Sequence, residues 1–206
     1  MIPVFDAIAD ELAERGYAIA DQFLSQTEVR AILSVEDFQK SSGRFKKAGI
    51  GKLQGLHINE GVRGDYIQWL NKNTAPPELS AYMTRIENLM HHLNQTLFLS
   101  LKDFEVHMTR YPVGTYYKRH LDQFTKDDHR KLSIICYLNE GWTDENGGQL
   151  RIYPPQGPVD ILPLAGRVVC FRSDQLEHEV LPANRERLSL TGWILDQLVD
   201  LKHLSL

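Results

Sequence analysis

The chain has 206 residues, 42% of them hydrophobic and 24% charged, with a formal net charge of −4. That length suits one domain with a real core, and the composition is ordinary for a globular protein. The mild negative charge excludes a general pull towards nucleic acid or acidic membrane, the N-terminus lacks a signal-peptide pattern, and no stretch approaches the ~20 apolar residues of a membrane span.

Residues 4–15 read as an amphipathic helix, with Phe5, Ile8 and Leu12 on one stripe and Gly16 as its stop. Residues 17–20 read as a short strand. Ser25-Gln26-Thr27-Glu28 has the form of a capping box and predicts a second helix to about Gln39. Residues 41–55 then lose periodicity and collect Gly43, Gly49 and Gly51 with Arg44, Lys46, Lys47 and Lys52. This is either a solvated loop or a lid that touches a macromolecular substrate. Arg63-Gly64-Asp65 leads into Tyr66-Ile67-Gln68-Trp69, which reads as a buried strand. Pro77 suits the first turn of a helix. Leu79, Met83, Ile86, Met90, Leu93 and Leu97 then recur at three and four, predicting a helix over 77–99. His91 and His92 are neighbours on it and point about 100° apart, so they cannot share one metal.

From Phe104 the pattern changes to short strands broken by glycine and proline: 104–111, 117–122, 131–138, 148–153, 158–162, 167–171, 178–181 and 187–195. Such a series after a helical lead-in predicts a mainly β jelly roll with flanking helices. We expect a single domain over 1–206, with a helix-rich lead-in and lid loop at 1–100 and the jelly-roll core at 101–196. Cys136 and Cys170 sit in apolar runs and read as reduced core residues in a cytoplasmic setting; one disulfide between neighbouring strands is the alternative.

The chemistry gathers on His120, Asp122, His178 and Arg187. If residues 120–122 are extended, His120 and Asp122 point to one face. Two imidazoles and a carboxylate on one face of a metal leave the opposite positions open, which suits non-heme Fe(II). Arg187 opens an apolar run, and a guanidinium there can grip a carboxylate with two parallel hydrogen bonds. Strand parity adds neighbours. Arg187, Ser189, Thr191 and Trp193 share a face, as do Ser133, Ile135 and Tyr137, and His107, Thr109 and Tyr111. A wet outer face would also explain the polar residues of 187–193, but an arginine and a tryptophan on that face suit a buried carboxylate pocket. His129 is placed in a loop and reads as solvated. A His-x-Asp triplet alone is a weak signal; the ordered set is a specific one.

That set lies in a longer order of words. Tyr111-Pro112 comes first, then His120-Leu121-Asp122, Ile135-Cys136-Tyr137-Leu138-Asn139, Gly147-Gly148-Gln149-Leu150-Arg151-Ile152-Tyr153, His178-Glu179-Val180, Pro182-Ala183, Arg187 and Trp193. The order resembles the 2-oxoglutarate- and Fe(II)-dependent oxygenases over residues 60–195. Within them it is most similar to the prolyl 4-hydroxylase family, above all the oxygen-sensing prolyl hydroxylases that act on hypoxia-inducible factor and their bacterial relatives. The resemblance implies a double-stranded β-helix. It implies Fe(II) on His120, Asp122 and His178, and 2-oxoglutarate with its far carboxylate on Arg187, aided by Tyr137 and Thr191 in a pocket shared with Tyr111 and Trp193. It also implies O2 as oxidant, ascorbate as an accessory, and hydroxylation of a prolyl residue in a protein, with translation components as candidates, giving hydroxyproline, succinate and CO2. Arg63, Asp65 and Arg130 fall to the lid and substrate region, with a salt bridge between Asp65 and Arg130.

The chain departs from the animal pattern in loop lengths before His120 and His178, and in His107, where an apolar residue is expected. The loop changes put substrate identity in doubt and leave the metal chemistry; His107 either tunes the pocket or hydrogen-bonds within the core. The rival readings are an oxygenase of a free small molecule and a non-enzymatic cupin-like sensing module; the complete metal set plus Arg187 argues against the second. No nucleic-acid or membrane partner is expected, because no basic face with interleaved aromatics stands out.

Overall fold

The computed structural model describes residues 2–38, 43–49, 58–59, 61–123 and 128–199. Helix α1 (Ile2–Arg15) buries Phe5, Ile8, Ala9 and Leu12. Gly16 ends it at φ +78°, with its N–H donating to the Leu12 carbonyl at 3.1 Å. That left-handed stop is cheap only for glycine. Strand β1 (Tyr17–Ala20) follows.

Helix α2 (Gln26–Leu33) carries the expected box: the Ser25 hydroxyl accepts from the Glu28 N–H, and the Glu28 carboxylate accepts from the Ser25 N–H. It ends at Leu33, short of the expected Gln39. The Ser34 hydroxyl donates back to the Ala31 carbonyl at 2.7 Å, a local bond that competes with helix continuation. Val35 and Phe38 then turn into the core across a single 3-10 turn, Glu36–Phe38.

Strands β2 (Lys46–Lys47) and β3 (Tyr66–Leu70) precede a 3-10 turn at Pro77–Leu79 and helix α3 (Ser80–Leu97). The stripe of α3 is buried as its spacing requires, through Met83, Ile86, Met90 and Leu93. The remaining strands are β4 (Asp103–Tyr111), β5 (Tyr117–His120), β6 (Arg130–Tyr137), β7 (Leu150–Ile152), β8 (Val159–Ile161), β9 (Val168–Arg172), β10 (His178–Val180) and β11 (Arg187–Leu195). Each lies within a residue or two of its expected place.

Among the described residues the strands form a seven-stranded sheet, β1-β9-β6-β11-β4-β3-β2, and a four-stranded sheet, β5-β10-β7-β8. This is the expected jelly roll. The helices pack on the outer face of the larger sheet, against Leu132, Ile134, Cys136, Leu190 and Ile194. Between the sheets, Ile135, Tyr137, Val169 and Phe171 meet Leu150, Ile152, Ile161 and Val180. Strand β6 is therefore covered on both faces, which is why its residues do not alternate between apolar and polar. Cys136 and Cys170 are free and buried in the outer cluster. They lie on paired strands but out of register, Ile134 facing Cys170 and Cys136 facing Val168. Burial pushes the Cys170 thiol up to about 12.

Of the expected lid, residues 43–49 are described and include the edge strand β2; residues 41–42 and 50–55 lie outside the described residues. Among the described residues, no helix is long and apolar enough to cross a membrane.

Candidate functional site

The ligand atoms of His120, Asp122 and His178 all lie within 4.8 Å of one another. Sheet register brings the histidines together: His120 ends β5, His178 opens β10, and the two are cross-strand partners. Asp122 sits just past the end of β5, with Oδ1 3.4 Å from His120 Nε2 and Oδ2 3.6 Å from His178 Nε2.

Each imidazole is oriented by a backbone carbonyl. His120 Nδ1 lies 2.8 Å from the Lys118 oxygen, and His178 Nδ1 3.4 Å from that of Leu176. A carbonyl only accepts, so Nδ1 carries the proton and Nε2 keeps its lone pair for the cluster. The Ser133 hydroxyl donates to Asp122 Oδ2 at 2.6 Å and lies 2.9 Å from the Ser173 hydroxyl.

Burial alone would raise the Asp122 carboxyl; His178, His120 and the Ser133 bond outweigh it and hold the group well below the usual carboxylate range. Burial, helped by His120 and opposed by Asp122, lowers His178 to about 4. The ionised Asp122 carboxylate and the neutral His178 imidazole are the forms of these groups that can take a divalent metal.

The rings are held from the sides as well. Phe171 meets His178 edge-on at 4.7 Å, and Tyr117 stacks on His120 at 3.6 Å. The Arg63 guanidinium lies 4.2 Å from the same Tyr117 ring. Two groups that close to one ring must take opposite faces, so Tyr117 links Arg63 to His120.

The arginine pocket lies further along the larger sheet. Arg187 is 1% exposed and pairs in register with Tyr111. Its Nε donates to the Gly148 carbonyl at 2.9 Å. Gly148 stands at φ +70°, and a Cβ there would meet Ala183 Cβ at 2.9 Å and Arg187 Cδ at 3.4 Å, so only glycine leaves the guanidinium its place. The guanidinium lies near the rings of Tyr111 and Tyr137, at 5.1 and 4.9 Å. Arg187 Nη2, the Tyr137 hydroxyl and Trp193 Nε1 are buried with no hydrogen-bond partner in the protein. Buried donors are rarely left so, and a guanidinium nitrogen with the Tyr137 hydroxyl beside it fits a bound carboxylate; Trp193 lies six residues further along β11, paired with Ser133. Thr191 lies on the same face, its hydroxyl 3.1 Å from that of Ser189. His107 is not part of the metal cluster, and His129 pairs with Asp196 at 2.8 Å.

The expected salt bridge between Asp65 and Arg130 does not form. Asp65 is buried and held at both oxygens by Arg63, at 2.7 and 2.6 Å. Arg130 instead donates to Glu105 at 2.6 Å and lies over the Trp193 ring at 3.4 Å. Arg63 and Asp65, two apart, share a side of the chain, so the local partner wins over the distant one. The Arg63–Asp65 pair forms part of the wall of a cleft of about 260 Å³, with Lys47, Tyr66, Pro112 and Tyr116. The sequence assigns no supporting role to Ser133, Ser173, Tyr117 or Gly148; only the fold reveals what they touch.

Two facing antiparallel sheets with a two-histidine, one-carboxylate cluster beside a buried arginine define the architecture of non-heme iron oxygenases. The family model of the 2OG-Fe(II) oxygenase superfamily matches residues 106–195. The crystal structure of a Pseudomonas putida prolyl-4-hydroxylase is 40% identical with a TM-score of 0.83, covering 94% of this chain and 100% of that one. A Trichoplax adhaerens prolyl hydroxylase, solved with a peptide of the hypoxia-inducible factor oxygen degradation domain, is 27% identical with a TM-score of 0.82, covering 94% of this chain and 90% of that one. The hypoxia-inducible factor prolyl hydroxylase of Caenorhabditis elegans is 30% identical over 94% of this chain, which spans only 28% of that protein's length. The chain belongs to the 2OG-Fe(II) oxygenase superfamily, and its likeness within it is to prolyl hydroxylases.

Proposed function

We propose that the chain is a 2-oxoglutarate- and O2-dependent hydroxylase of a prolyl residue in a protein. The observation that carries this is the pair of unpartnered buried donors, Arg187 Nη2 and the Tyr137 hydroxyl, in the same inter-sheet space as the His120, Asp122 and His178 cluster.

In this reading His120, Asp122 and His178 hold Fe(II), which supplies oxygen activation when bound. Arg187 and Tyr137 bind the far carboxylate of 2-oxoglutarate, and Thr191, Tyr111 and Trp193 shape its pocket. Lys118 and Leu176 fix which imidazole nitrogen faces the metal. Ser133 holds Asp122 in place and ionised. The apolar residues between the sheets exclude water from the pocket. The cleft beside Arg63 and Asp65 takes the substrate segment, and Arg130 supports the Trp193 wall. The Trichoplax relative's bound peptide and the likeness to prolyl hydroxylases support a protein substrate. A translation component as target, ascorbate as accessory and a cytoplasmic setting complete the reading; the last fits two free buried cysteines.

The test is incubation with Fe(II), 2-oxoglutarate and proline-containing peptides or cell extract. We expect succinate release matched by a one-oxygen mass gain on proline. Succinate release with oxygen gained only by a free small molecule would replace the substrate assignment. No turnover under any condition would refute the enzyme.

A further inference from the structure

His107 is buried in the inner face of the larger sheet, and the chemistry above gives it no part. Across β4 and β11 it faces Thr191, and across β3 and β4 it faces Trp69. One same-face step along β4, Thr109 faces Ser189. These side chains make a polar block in a wall otherwise lined by Ile67, Ile135 and Val169. Polar groups in such a place are costly unless they serve a bond.

The register shows what the block lies between. Ser133, which holds Asp122, pairs with Trp193, and Tyr137 of the arginine pocket pairs with Ser189. Thr191 and His107 occupy the row between those two, one same-face step of roughly 6.6 Å from each. A five-carbon dicarboxylate stretched from the metal cluster to Arg187 crosses that row.

The ring itself is aimed. Nδ1, the nitrogen nearer the backbone, lies 2.9 Å from the Thr109 hydroxyl. Nε2 is the ring nitrogen further from the backbone, and among the described residues no protein group is its hydrogen-bond partner. Trp69 meets the ring edge-on at 4.9 Å, and Trp193 lies 5.6 Å away. The charged groups acting on the ring are Arg63 before β3, Arg130 at the start of β6 and Asp122 after β5. Burial, with the two arginines, holds the imidazole neutral, down to about 3. A neutral imidazole has one N–H, and the Thr109 hydroxyl and the Met108 backbone both bear on which nitrogen carries it. If the Thr109 hydroxyl donates to Nδ1, the proton sits on Nε2, which then offers a donor to an anion.

We propose that His107, fixed by Thr109 as the Nε2–H tautomer, donates a hydrogen bond to an oxygen of 2-oxoglutarate and is a co-substrate-binding residue of this chain. The inference rests on the co-substrate pocket assigned above. The experiment is calorimetric titration of 2-oxoglutarate into protein loaded with redox-inert Zn(II), with the melting temperature of each variant recorded. His107→Leu keeps bulk without a donor and weakens binding ~10-fold, the scale of one buried hydrogen bond. His107→Gln, whose amide reaches the position of Nε2, restores binding to within ~3-fold on the same scale. Thr109→Val weakens binding as His107→Leu does, and Thr109→Ser does not. A ring that only fills space would show the opposite: His107→Leu tolerated, and no difference between Thr109→Val and Thr109→Ser. If His107→Leu fails to fold, the Thr109 pair decides alone. Wild-type affinity in the Leu and Val variants, with Arg187→Lys still weakened, overturns the inference and spares the pocket. Wild-type affinity in all of them, Arg187→Lys included, overturns both.

Discussion

At the scale of single residues, groups that touch a ligand were easier to find than groups that support them. His120, Asp122 and His178 were legible because their residue types and order are rare in combination. Ser133 was not, because a serine on an apolar strand has no distinguishing neighbour in sequence; its bond to Asp122 crosses from β6 to the end of β5. The bond is short and charge-assisted, and it helps hold Asp122 ionised. We expect Ser133→Ala to keep the fold and to weaken Fe(II) affinity by roughly 10–100-fold, the usual loss when a supporting contact to a metal ligand is removed. Equilibrium dialysis against a metal chelator measures this, and an unchanged affinity would show that the two histidines suffice to place the carboxylate. Arg187 makes a second test. Arg187→Lys keeps the charge but removes the planar fork and the Nε bond to Gly148. Apparent 2-oxoglutarate affinity should fall by roughly 10–100-fold, again on the scale of a disturbed supporting contact. Unchanged co-substrate dependence in steady-state kinetics would remove Arg187 from the pocket.

At the scale of elements, strands with clear punctuation were read correctly and partnerships between them were not. Strand β2 went unread because two exposed lysines carry no alternation. Helix α2 was read too long because the serine that ends it is also tolerated inside helices. The Asp65–Arg130 pairing failed because sequence cannot rank a partner two residues away against one across the molecule. The observed partner changes the consequence. Arg63 and Asp65 have side chains 14% and 0% exposed, so their pair is buried, not a rim contact. Removing one partner leaves a buried charge uncompensated, which costs about 3–5 kcal/mol. We therefore expect Asp65→Ala to lose stability on that scale in urea denaturation. Through Tyr117 it should also loosen His120, so peptide hydroxylation and uncoupled 2-oxoglutarate turnover fall together. The double variant Arg63→Met, Asp65→Leu should recover most of the stability. A loss below about 1 kcal/mol in Asp65→Ala would mean that the pair behaves as an exposed one.

At the scale of the whole molecule, burying ionisable groups between two sheets makes stability depend on pH in one direction. His107 and His178 are both held neutral in the folded chain, at about 3 and about 4. Their ordinary value is near 6.5, so as pH falls the unfolded chain takes up each proton first. The stability from keeping them neutral is full above about pH 6.5 and is lost as pH falls from there towards the folded values. Asp122 acts in the same sense lower down: its folded value is depressed, so its contribution is present above about pH 3.9 and is lost below it. Between pH 6.5 and 5 the slope then comes from the two histidines, about 1.4 kcal/mol per pH unit for each. Urea denaturation of metal-free protein at pH 7, 6 and 5 should show stability falling with pH across that window. His107→Gln removes one titrating group without removing the amide-sized bulk, so its slope should be shallower by about 1.4 kcal/mol per pH unit. The difference in slope isolates His107 from every other group that titrates. If wild type and His107→Gln lose stability in parallel, the imidazole is not held neutral in the folded chain, and the donor assigned to it would have to be a cation instead.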